Sequence, residues 1–111
     1  MDDSILNSIK KLLGIDKECV DFDTDIIISI NSVFMILTQM GIGPKEGFAI
    51  HDKYTTWEDF LKEDQNLEGV KSYMYLKVKL MFDPPLSSAV TEVINKQISE
   101  LEWRLYVAND K

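Results

Sequence analysis

The segment from Leu67 to Phe82 constrains this chain more than any other. It carries apolar residues at Leu67, Val70, Tyr73, Met74, Tyr75, Leu76, Val78, Leu80, Met81 and Phe82. Wound as a helix, these cover nearly the whole circumference, broken only by Glu68, Lys71, Ser72, Lys77 and Lys79. Such a helix has to be surrounded, by other parts of the same chain or by another molecule. Asp83-Pro84-Pro85 ends it, because Pro84 disfavours the helical conformation of Asp83 and Pro85 forces an extended step.

The other elements follow the same apolar rhythm. Ile5, Leu6, Ile9, Leu12 and Leu13 make one face of a first helix from Asp3 or Ser4 to Leu13. Asp2 and Asp3 suit its positive end and Lys10 and Lys11 its negative end, with Gly14 as the stop. A second helix runs from Thr24 or Asp25 to Met40, capped by Asp23 or Thr24 and ended by Gly41. Its core face holds Ile26, Ile27, Ile30, Val33, Phe34, Leu37 and Met40, while Ile28 and Met35 fall on the far side.

A long loop, Gly41 to Thr55, follows, with a short extended piece expected at Phe48-Ala49-Ile50. Loops of this length in a compact domain are often binding segments. This one is expected to stay mobile in a lone subunit and to order against a neighbour. Thr56 and Asp59 approximate a capping box for a short helix ending at Leu61. Lys62 to Asn66 reads as a polar turn. The last helix starts at Ser87 or Ser88 and reaches about Val107, with Ala108 to Lys111 frayed. Val90, Ile94, Ile98, Leu101 and Leu105 form its seam. Trp103 lies about 180° from Ile94 on the helical wheel and Tyr106 about 120° from it, both large aromatics off the seam. The expectation is all-α: a compact bundle of four to five helices with a long loop between the second and third. At 111 residues, the chain 1–111 suits a single domain around one core.

Composition narrows the functions. One Cys excludes an internal disulfide, and one Cys with one His cannot build a structural zinc site. A formal net charge of −7 argues against a surface that clamps nucleic acid, which needs clustered Lys and Arg. The acidic start lacks the positive region of a signal peptide. The apolar-rich stretch Ile26 to Met40 is too short for a bilayer, which needs about 20 residues. A soluble protein made in the cytoplasm is expected, no membrane contact among its interactions, and the thiol of Cys19 suits a reducing compartment.

No residue set satisfies the criteria for a catalytic or metal site. Asp21-Phe22-Asp23-Thr24-Asp25 imitates the start of a calcium loop, but Ile26 and Ser32 stand where Gly and Glu are required. Glu58-Asp59 and Glu63-Asp64 are sequence neighbours that diverge rather than converge on one cleft. His51 beside Asp52 lacks a positioned nucleophile, and the carboxylates around Cys19 disfavour its thiolate. Gly41-Ile42-Gly43-Pro44 lacks the Lys of a phosphate loop. The expectation is no enzyme, no catalytic residue, no cofactor and no metal. The remaining signal is surplus apolar surface: Ile28, Met35, Trp103 and Tyr106, read as a subunit interface.

The run Tyr75-Leu76-Lys77-Val78-Lys79-Leu80-Met81-Phe82-Asp83-Pro84-Pro85 resembles the central helix and break of phage head–tail connector (adaptor) proteins. So do the Asp2–Gly14 segment, the opening Phe22-Asp23-Thr24-Asp25-Ile26-Ile27 of a long helix, and the closing Ile94–Arg104 helix. The likeness is to versions from phages and prophages of Gram-positive bacteria and covers nearly the whole chain. It implies a small helical subunit of a homo-oligomeric ring, commonly twelvefold. Such a ring docks on the phage portal protein, carries a tail-side stopper or completion protein, and passes DNA through its lumen without sequence-specific binding. The implied place is the virion, at the head–tail junction, after synthesis in the bacterial host. The family has no known catalytic residues. Two other readings compete: an acidic helical binding module that mimics DNA, with carboxylates regularly spaced on one face, and a small hydrolase using His51.

Overall fold

A computed structural model of the chain describes residues 4–61 and 67–109, with side chains through 107. Its helices are α1 (Ile5–Leu12), α2 (Asp23–Gln39), α3 (Trp57–Phe60), α4 (Leu67–Phe82) and α5 (Ser88–Asn109). Among the described residues there is no β-strand. One isolated bridge joins Ser4 to Thr56, and the Ile5 N–H donates to the Thr55 carbonyl at 3.0 Å, so the chain's start is pinned to the loop's end. Asp2 and Asp3, the Lys62–Asn66 turn, the Glu63-Asp64 pair and residues 110–111 lie outside the described residues.

Local signals set the helix ends. Ser4 caps α1 by accepting from the Asn7 N–H, and Ser87 caps α5 by accepting from the Val90 N–H. Thr56 and Asp59 form a full capping box at α3. After α1 and α2 the chain turns left-handed at Gly14 (φ 80°) and Gly41 (φ 83°). In each case two backbone bonds close a Schellman motif: Ile15 N–H to Lys10 O with Gly14 N–H to Lys11 O, and Ile42 N–H to Leu37 O with Gly41 N–H to Thr38 O. The expected fraying from Ala108 is corrected, since α5 continues to Asn109.

The expected cap of α2 is also corrected. The helix begins at Asp23, and its N-cap residue Phe22 makes no side-chain cap bond. Asp23 is engaged by Lys10, whose ammonium is buried. Lys10 Nζ donates to the carbonyls of Lys17 and Cys19 at 3.1 and 2.6 Å and to Asp23 Oδ1 at 2.8 Å. Three donors meet three acceptors, the condition under which a buried ammonium is tolerated. The side chain thereby ties α1, the 14–22 turn and the start of α2 together.

The core gathers residues from all five helices and the long loop. α4 lies between α2 and α5, as its nearly all-round apolar surface requires. It buries Val70, Tyr73, Met74 and Val78. The Gly41–Thr55 loop is fastened to the body at Ile50. The Asn31 side chain brackets Ile50, accepting from its N–H at 2.8 Å and donating to its carbonyl at 2.9 Å. Phe48 then enters a ring cluster with Phe34 and Phe60, centroids 4.7 to 5.1 Å apart. Trp57 adds its bulk and donates Nε1–H to Ser8 Oγ at 2.9 Å. No strand forms at Phe48–Ile50; an amide side chain satisfies that backbone instead.

Candidate assembly surface

α5 packs antiparallel on α4. The Tyr73 hydroxyl donates to Glu102 Oε2 at 2.8 Å, and Leu105 lies over Gly69. This register places Ile98 and Leu105 in the core and leaves Ile94 and Leu101 half-buried. It also carries the first turn of α5 past Phe82, the last residue of α4. Val90, expected on the seam, is therefore exposed. Leu12, expected on the core face of α1, is exposed too. It rims a groove of about 660 Å³ with Tyr75, Leu76 and Leu101 on its apolar side and Glu68, Lys71, Glu100 and Arg104 on its charged side. Burial of Tyr73, then its hydrogen bond to Glu102 and that carboxylate's charge, push the phenol's pKa well above its ordinary value.

The four residues singled out as off-stripe stand in solvent. Ile28 is 60% exposed, Met35 65%, Trp103 66% and Tyr106 59%. Ile28 and Met35 sit on the outward face of α2, seven residues apart. Trp103 and Tyr106 come together with Ile36 and Met40 of α2 to line a groove of about 350 Å³. Glu102 is the one charged residue in that lining. Ile36 and Met40 lie about 100° and about 140° around α2 from Met35, so Ile28 and Met35 face a different direction from the groove itself.

The part played by Ile36 and Met40 was not visible on a helical wheel, which put Met40 on the core stripe and left Ile36 unremarked. Both are half-buried residues whose remaining surface is open because α5 covers them only partly. Met81, Leu86, Val90 and Val93, near one another in sequence around the α4–α5 connection, are exposed as well.

The polar candidates are placed apart. His51 is exposed, and the neighbouring Asp52 carboxylate accepts from the Tyr54 N–H. Cys19 is half-buried, and its carbonyl receives Lys10. Asp23 is held by Lys10, Asp59 by the Thr56 N–H, Asp83 by Lys79, Glu100 by Arg104 and Glu102 by Tyr73. Among the described residues, no group of three His, Cys, Asp or Glu is arranged to hold a metal ion. Among them, too, no helix is long and apolar enough to cross a membrane.

The α2–α5 groove therefore offers mainly apolar and aromatic side chains, which is the chemistry of association. No curated protein and no solved structure matches the chain. A family model described as phage connector protein matches residues 5–111, nearly all of it. On that match, and in keeping with a helical body that leaves its aromatic outer faces uncovered, the chain belongs to the phage connector protein family.

Proposed function

We propose that this chain acts by assembly rather than turnover: its copies form a ring that docks on the portal, receives the tail-side protein and lets DNA pass through the lumen. Family membership supports a structural role in the virion. The observation that carries the finer reading is the exposure of Trp103 and Tyr106 on α5 with Ile28 and Met35 on α2. Large aromatics left in solvent by a folded subunit are typical interface anchors. A closed ring requires that one face of a subunit meet a different face of its neighbour, and these two helices supply two such faces.

The net charge of −7 suits a conduit for DNA, since a lumen poor in Lys and Arg repels the phosphates and lets the duplex slide. The DNA-mimic reading needs a face of free, regularly spaced carboxylates. It is weakened by the internal partners of Asp23, Asp59, Asp83, Glu100 and Glu102.

The test is native mass spectrometry of the purified protein with its cognate portal, alongside electron microscopy of particles from a phage lacking the gene. A defined multimer on the portal and filled heads without tails are expected. Normal tailed particles from the deletion phage would refute the reading.

A further inference from the structure

α5 is the longest helix and the most lightly held. Of its described side chains, Ile98 and Leu105 are buried, Thr91, Ile94, Leu101 and Glu102 are half-buried, and the rest are exposed. α2 buries Ile26, Ile30, Val33, Phe34 and Leu37, and even the short α1 buries Ile5, Leu6, Ile9 and Lys10. α5 packs chiefly on α4. Among the described side chains, one hydrogen bond ties it to another helix, from the Tyr73 hydroxyl to Glu102 Oε2 at 2.8 Å. Arg104 is paired with Glu100 inside α5 itself.

Local bonds stop on either side of the link between the two helices. The Asp83 N–H donates to the Lys79 carbonyl and its carboxylate pairs with the Lys79 ammonium, so Asp83 belongs to α4. Ser87 accepts from the Val90 N–H through Oγ and from the Thr91 N–H through its carbonyl, so Ser87 belongs to α5. Between them, Pro84 and Pro85 have no N–H, and Leu86 is fully exposed. A rotation at Leu86 moves α5 with its cap intact and leaves the last turn of α4 intact.

We infer that α5 is an arm that undocks from α4 as one unit, with Leu86 as its hinge and the Tyr73–Glu102 bond as its latch, while α1 to α4 and the long loop stay folded. An element with few buried apolar contacts opens at lower free energy than the core beside it. The body holds together without the arm, through the ring cluster, the Asn31 clamp and the Lys10 tie. Undocking uncovers the α4 face around Gly69 and Tyr73. It also parts Trp103 and Tyr106 from Ile36 and Met40. The α2–α5 groove therefore exists in the docked state alone, and the latch sets how often it is formed. The inference does not depend on copies forming a ring.

The test is native-state hydrogen exchange of the whole protein, followed residue by residue by NMR at a concentration that keeps single copies. α5 is rich in β-branched residues and marginal as a lone helix in water, so undocking exposes its amides. The amides from Ile98 to Leu105 should exchange through one shared opening, about tenfold or more often than those from Ile30 to Leu37. Two variants then separate arm from body. Ile30→Val should raise the α2 rates about fivefold and leave the α5 rates unchanged, because the undocked state keeps the body packed. Glu102→Ala, which cuts the latch without touching α4, should raise the α5 rates about fivefold, as for one lost hydrogen bond. Equal opening of α5 and α2, or an Ile30→Val effect felt equally in both, would show a single cooperative unit and overturn the arm. Rates graded inward from Val107 would show fraying and overturn it too. Unchanged α5 rates in Glu102→Ala would overturn the latch.

Discussion

The aromatic cluster where α2, α3 and the long loop meet closes its chemistry within the chain, whereas α5 does not. In and around that cluster, Phe34, Phe48, Trp57 and Phe60 cover one another, Asn31 satisfies the loop backbone, and the charge of Lys10 meets three acceptors. Along α5, two buried residues, Ile98 and Leu105, anchor the helix, while Val90, Val93, Trp103, Tyr106 and Val107 remain exposed. Both regions are rich in apolar side chains. The difference is that the cluster spends them on folding and α5 leaves them in solvent. Substitutions should therefore separate stability from association according to region.

The largest loss of stability is expected in the ring cluster. Phe34→Ala should cost about 3–5 kcal/mol, because it leaves a cavity between Phe48, Phe60 and Trp57. Urea denaturation checks this, and a loss under about 1 kcal/mol would mean the cluster is not self-contained.

Lys10→Met comes next, at about 3 kcal/mol. It removes one member of a buried ion pair and strands the carbonyls of Lys17 and Cys19. Thermal unfolding measures it, and Asp23→Asn should cost less, since Asp23 is partly open to water.

Tyr73→Phe probes the seam between α4 and α5 and should cost about 1 kcal/mol through its bond to Glu102. It also has a pH signature. The folded-state pKa of Tyr73 is raised above the unfolded value of about 10. Above that pH the unfolded chain releases a proton that the folded chain keeps, so stability falls as pH rises. The contribution is complete below pH 10 and absent from the variant, whose stability curve between pH 9 and about 11 should be flatter.

Trp103→Ala should have the smallest effect on folding, under about 0.5 kcal/mol, while weakening self-association measured by sedimentation. A large loss of monomer stability with unchanged association would erase the contrast between the regions.

Much of this architecture was legible residue by residue. The α4 boundaries, the serine cap of α5, the Thr56–Asp59 box and the glycine stops all follow from interactions spanning a few residues. The outward position of Ile28, Met35, Trp103 and Tyr106 also followed from helical spacing. The partners that turn such positions into a surface were not legible. Ile36 and Met40 complete the groove only because α5 crosses beside α2, and Val90 is exposed only because α5 overhangs α4.

The sequence by itself determined the number and order of the helices, the glycine and proline stops, and which faces carry surplus apolar residues, because such signals act over one or two turns. Tertiary structure decided the rest. It buried Lys10 against acceptors up to thirteen residues away, clamped the long loop through Asn31, and brought Trp103 and Tyr106 of α5 beside Ile36 and Met40 of α2. Those outcomes depend on the register between helices distant in sequence, and no local rule encodes that register.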